Sequence, residues 1–128
     1  SLMPNGQELK RTICQGVTLS EVCGDCIPRL IKLDIEGAEG KVLMSSADLL
    51  KEGVDFIVCE INRKAIVNFG MIEEDLIEFM RGLGYLTYIL NLDGSVPIAV
   101  PPGSRIHTYM DSFNVVFSTG EKIREIWQ

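Results

Sequence analysis

The sequence predicts an α/β layer fold, with parallel strands first and an antiparallel closing pair last. Three observations carry that expectation. "RLIKLDIE" and "DFIVCEIN" are nearly continuous apolar runs of strand length, as strands covered on both faces would be. Between them Ala38, Val42, Leu43, Leu49 and Leu50 recur at helical spacing. A second helical stripe follows, and "YLTYILN" and "FNVVFS" complete a β-α-β-α-β-β alternation.

Taken in order, Ser1 and Leu2 ahead of Met3 read as a vector remnant, and residues 1–9 as a polar, flexible start. Residues 10–128 are then one partial α/β domain. "GVTLSEVC" suits a short strand edge and a helical turn opened by Ser20. Leu30, Ile31, Leu33 and Ile35 are the apolar members of the first buried strand. Gly53 is placed to end the following helix as its C-cap. After "DFIVCEIN" a short helix is expected through Ala65 to Phe69. In "MIEEDLIEFMRGLGY", Leu76, Ile77, Phe79, Met80 and Leu83 form one apolar stripe, and acids crowd the first turn as the helix dipole favours. Asp93-Gly94 signals a turn, and "VPIAVPPGSR" is too rich in proline for a central strand.

Composition bounds the partners. With 46% hydrophobic and 23% charged residues in 128, this is ordinary globular composition. A net charge of −6 argues against nucleic acid, whose phosphates call for a basic face. No apolar run approaches a membrane span and no signal peptide is evident, so a cytoplasmic, non-membrane protein is expected.

Cys14, Cys23, Cys26 and Cys59 do not ask for a disulfide framework in a chain that can bury its own core. Cys59 lies in a strand, where a reduced cysteine behaves as a small hydrophobe. Cys23-Gly-Asp-Cys26 has the spacing of half a zinc site or a redox pair. It precedes Pro28 and a strand, however, whereas a redox pair usually opens a helix that lowers the thiol pKa. A thiol or zinc module is the weaker reading, and no metal site is assigned.

The carboxylates carry the functional signal. Asp34 and Glu36 end the first buried strand, and Glu60 and Asn62 end the second. Open α/β sheets bind ligands beyond the carboxyl ends of their strands, and parallel neighbours lie about 5 Å apart. The four residues could therefore converge on one patch. Gly37 permits a tight strand-to-helix turn and a close ligand approach. A structural reading stands beside this one. Glu36 and Glu39 could complement a helix dipole, and Asp34 could cap the turn.

"LIKLDIEGAEGKVLMSSADLL" followed by "DFIVCEIN" resembles the central signature of the FkbM-type methyltransferases, S-adenosylmethionine-dependent enzymes acting mostly on sugar or polyketide hydroxyls. The family reads Ile-Lys-acidic-β-branched-Glu-Gly-x-Glu, then a helix with a Leu pair, then an apolar strand ending in Glu, and each element is present from Ile31 to Glu60. "VTLSEV", "EEDLIEFMRGLGY" and "FNVVFS" extend the similarity from Val17 to Ser118. No Gly-rich nucleotide-binding turn precedes these elements. The resemblance therefore implies the C-terminal half of a seven-stranded Rossmann-like methyltransferase sheet.

The same resemblance implies roles. Asp34 would lie beside the methyl donor with Gly37, and Asp34, Glu36 and Glu60 would supply catalytic carboxylates. Glu39, Asn62 and His107 would contact a small-molecule substrate. Asp34, Glu60 and Asn62 could also mimic the magnesium ligands of related O-methyltransferases. His107, in the loop before the last strand, could equally be a solvated or packed side chain. A central strand cut at one edge is a pairing liability. The Leu30–Ile35 edge is therefore expected to pair with the folded-back segment Lys10 to Thr18, with a second copy in a homodimer, or with a separate N-terminal half. Two functions follow: the substrate side of an O-methyltransferase, inactive without its cofactor half, or a non-catalytic interaction module.

Overall fold

The computed structural model describes Gly6 and residues 8–127. The expectations placed on residues 1–3 lie outside them.

The first helix, α1 (Leu19–Cys23), starts one step earlier than Ser20. Thr18 Oγ1 accepts from Glu21 N at 3.1 Å and Glu21 Oε2 accepts from Thr18 N at 3.0 Å, a reciprocal capping box. Strand β1 (Leu30–Leu33) follows. The helical stretch after it is broken in two, α2 (Glu39–Met44) and α3 (Ala47–Lys51). Ser45 and Ser46 stand at the break, and both hydroxyls donate to Val42 O, at 2.9 and 2.7 Å. Such bonding competes with the helical ladder.

Strand β2 (Phe56–Asn62) leads into α4 (Arg63–Ile66) and a 3-10 turn at Val67–Phe69. Helix α5 (Glu73–Gly82) carries three acids in its first turn and buries Leu76, Ile77 and Met80. Strand β3 (Leu86–Ile89), the two-residue β4 (Ile98–Ala99) and β5 (Ser112–Ser118) complete the sheet. The tail forms α6 (Gly120–Ile126), capped by Thr119, an element beyond the expected β-α-β-α-β-β order.

The sheet corrects the expected topology. It has five strands in the order β1-β2-β5-β3-β4. Only β1 and β2 are parallel, whereas β2–β5, β5–β3 and β3–β4 are antiparallel. A seven-stranded, Rossmann-like parallel sheet, or its C-terminal half, is not what this chain builds. The cause is β5, which inserts between β2 and β3 and runs against both, while β4 pairs antiparallel with β3 at the far edge.

The two faces of the sheet are unequal. Ile31, Leu33, Ile57, Cys59, Ile61, Val115 and Phe117 face α2, α3 and α5 and form the main core with Leu43, Leu50, Leu76 and Met80. On the other face Tyr88 and Val116 are buried with Ile123 of α6, and Phe56 and Trp127 meet edge to face at 6.1 Å. The strand β1 is an edge. Leu30 is 58% exposed there, and residues 10–18 form no strand, so the segment Lys10 to Thr18 does not fold back onto it as expected. Upstream of β1, only Glu8 has bridge geometry among the described residues. No helix among them is long and apolar enough to cross a membrane.

Tyr85 fastens the helical layer to the sheet. Its hydroxyl donates to Leu50 O at 2.6 Å and accepts from Val54 N at 2.9 Å. Tyr85→Phe strands Val54 N in the core, while Leu50 O keeps its bond from Gly53 N at 3.1 Å, and a loss of about 1–3 kcal/mol in urea unfolding is expected. Burial pushes the hydroxyl above its ordinary pKa; Asp55 adds to this, while the Val54 N–H opposes it. The protonated form is thus favoured by folding. This contribution is full below about pH 10 and is lost as pH rises through the folded value.

Candidate functional site

The parallel register brings the two acid-bearing strand ends together. Leu33 stands opposite Cys59; Asp34 is the first residue past β1, and Glu60 is the next residue of β2. Asp34 and Glu36 are exposed, and Glu60 is half-buried. The alternation of β2 turns Glu60 away from the main core, onto the face that α6 covers only in part.

Four residues of this corner hold its backbone. The turn Ile35-Glu36-Gly37-Ala38 is closed by Ala38 N donating to Ile35 O at 3.4 Å, with positive φ at both central residues, 56° at Glu36 and 101° at Gly37. Glu39, 3% exposed, folds back beneath it. One carboxylate oxygen accepts from Ile35 N at 2.8 Å and the other from Gly37 N at 2.9 Å. Both oxygens of this substrate-binding candidate are thus engaged in the turn. Gly37 has no room for a Cβ, which would come within 2.6–2.8 Å of Ala65. The close approach anticipated at this glycine is made by the first turn of α4. Asn62 Oδ1 accepts from Lys64 N at 3.1 Å and Ala65 N at 3.0 Å, which caps that same turn. The β1 and β2 ends are therefore locked to one another.

Glu60 opens onto a groove. Its Oε1 accepts a hydrogen bond from Ser112 Oγ across the β2–β5 ladder. Glu60, Ser112, Asn114, Asn91 and Thr108 supply polar groups to a cavity of about 930 Å³ whose walls include Leu90 and Phe113. That size and mixture suit a small-molecule ligand.

A residue that local pattern does not mark, Arg63, organises the neighbouring loop. Its Nε donates to Glu73 Oε1 at 2.5 Å, and its terminal nitrogens donate to Ile106 O at 2.6 Å and Thr108 O at 3.1 Å. The guanidinium lies 5.0 Å from the Phe113 ring centroid. Its bond to Glu73 holds the guanidinium pKa above the ordinary arginine value. Arg63 thereby pins residues 106–108 between the Glu60 groove and a second one of about 1090 Å³, lined by Glu73, Arg105 and His107 among others. His107 is exposed on that second groove, away from the strand-end acids. Neither groove is lined by Asp34, Glu36 or Gly37.

The cysteines separate by environment. Cys14 and Cys26 are exposed, Cys23 is half-buried and Cys59 is buried. Burial, with Glu39 nearby adding to it, pushes the Cys59 thiol up to about 12. Brief iodoacetamide treatment of the native protein at pH 8 is expected to label Cys14 and Cys26 and to spare Cys59 until denaturant is added, as read by peptide mass spectrometry. Among the described residues, no group of three or more His, Cys, Asp or Glu side chains stands together as a metal ligand set. Among the described residues Cys23 and Cys26 have no further ligand grouped with them.

Residues 5–87 match the methyltransferase FkbM domain family, more than half of the chain. The chain belongs to the FkbM-type methyltransferase family. No curated protein matches the chain, and no solved structure does either. The FkbM match takes in β1, the Glu36–Glu39 turn, β2, α5 and the start of β3, whereas β5, with Ser112 and Asn114, lies beyond it. The match extends upstream to residue 5 and does not by itself assign this chain to the second half of the domain. As an FkbM-type chain it is associated with S-adenosylmethionine-dependent methyl transfer.

Proposed function

We propose that this chain supplies the acceptor side of an S-adenosylmethionine-dependent O-methyl transfer to a small-molecule hydroxyl. The observation that supports the reading best is the parallel β1–β2 register, whose last pair, Leu33 and Cys59, directly precedes Asp34 and Glu60, within the part matched to the family. The acceptor would lie in the groove that Glu60 lines. Transfer to an alcohol requires an approach in line with the breaking bond and removal of the hydroxyl proton. Glu60 would take that proton. Ser112 positions it, and the locked turns of Glu39 and Asn62 keep the strand ends from drifting. Asp34, exposed on the neighbouring end, would face the donor.

The described residues do not enclose the donor. Neither groove reaches Asp34, and Gly37 is closed off by Ala65. The donor supplies an electrophilic methyl group when bound, and the wall that holds it would come from outside the described residues, pairing along the β1 edge, where Leu30 is exposed. A cofactor-binding half is one such partner and a second copy of this chain is another.

The test is transfer of labelled methyl from S-adenosyl-L-methionine to a panel of hydroxylated small molecules, with this chain mixed with the nucleotide-binding half of an FkbM-type enzyme. Activity that falls at least about a hundredfold with Glu60→Gln, while the fold is kept, supports the reading. Unchanged activity in that variant overturns it. Partner capture without any transfer would favour the interaction module instead.

A further inference from the structure

The second groove holds a group that the methyl-transfer reading does not use. Glu73, at the start of α5, is 7% exposed, and its Oε1 is taken by Arg63. Its Oε2 is buried and has no hydrogen-bond partner. A buried carboxylate oxygen without a donor is unfavourable, and native structures leave few of them. Glu73 is among the residues that line the second groove.

The surroundings define that donor. Arg63 is matched by Glu73, and Arg105 Nε by Glu74 Oε1 at 3.1 Å, so the charges lining the groove cancel in pairs. A cationic ligand would bring a charge with no free counterpart. An anion would meet two carboxylates. The wall between the pairs is apolar, made by Ile66, Val67, Ile72 and Ile106. Val67 and Ile72 are about half exposed, as a wall awaiting contact would be.

We infer that this groove binds an uncharged alcohol, whose hydroxyl donates to Oε2 of Glu73 while its apolar frame packs on Ile66 and Val67. His107 borders the site at its open rim. The inference rests on the groove alone and stands whether or not the Glu60 corner transfers methyl groups.

The test is a titration of the full chain followed by amide chemical shifts, with 2-phenylethanol and its methyl ether as probes. The two share a frame, but only the alcohol has a hydroxyl to donate. The expected result is saturable shifts at Ile66, Glu73 and Thr108 with the alcohol, and binding at least about tenfold weaker for the ether. In Glu73→Gln the two should bind alike. Should that variant fail to fold, Val67→Lys, at an exposed wall position, should abolish the shifts while leaving the spectrum otherwise folded. Equal binding of alcohol and ether by the unsubstituted chain, shifts that survive Val67→Lys, or tighter binding of 2-phenylethylammonium would each overturn the inference.

Discussion

Gly37→Ala is expected to lower the melting temperature by about 10 °C or more, well beyond the effect of Gly53→Ala. Two costs add at Gly37. Its φ of 101° lies where an L-residue is strained, by about 1–2 kcal/mol. A Cβ would also press into the backbone and side chain of Ala65, and overpacking of this kind costs about 1–3 kcal/mol more. Neither neighbour is the far end of a flexible side chain, so relief has to come from moving α4. Gly53 shares the positive φ, at 94°, but has nothing within 4 Å of a Cβ. It therefore isolates the backbone cost. Thermal unfolding of both variants followed by circular dichroism reads the difference. Equal losses would show that the contact between the β1 turn and α4 contributes nothing.

Arg63→Met is the second large effect. It leaves Glu73 with a buried carboxylate and no counter-charge, and releases the carbonyls of Ile106 and Thr108. Breaking a buried pair by removing one partner costs about 3–5 kcal/mol. The arginine side chain is 28% exposed and that of Glu73 9%, so the lower end of this range applies. Lysine is not a substitute, because it lacks the planar fork that reaches three acceptors at once. Combining Arg63→Met with Glu73→Leu removes the stranded charge together with its partner. The double variant is expected to be more stable than Arg63→Met alone, with a coupling of about 1–3 kcal/mol in urea unfolding. Additive losses would mean that the ion pair is incidental and that the loop is held by packing on Phe113.

These two residues also mark how far the sequence carries. The strands around Asp34 and Glu60, and their parallel pairing, follow from apolar runs of strand length separated by a helical stripe, and the β1–β2 register agrees with them. Gly37 could be singled out because a tight turn after a strand asks for glycine, although the close neighbour is Ala65 and not a ligand. Glu39 looked like a displayed acid. Nothing in its spacing announced that its carboxylate would bend back to two backbone N–H groups. The insertion of β5 between β2 and β3 depends on pairing between segments about 55 residues apart in register, for which no local pattern exists. The Arg63 staple is non-local in the same way, joining α4 to α5 and to a loop more than 40 residues downstream. The α2–α3 break could have been read from Ser45-Ser46, because both hydroxyls compete for Val42 O. Helix α6 could have been read from Thr119 as its cap.

The most direct test of the account is a calorimetric titration of S-adenosyl-L-methionine into three samples. These are this chain alone, the chain mixed with an FkbM-type nucleotide-binding half, and the same mixture carrying Asp34→Asn. No binding heat is expected from the chain alone. Saturable binding is expected from the mixture, weakened about tenfold or more by Asp34→Asn. Binding by the mixture that is indifferent to Asp34→Asn would contradict the claim that the shared end of β1 and β2 borders the donor.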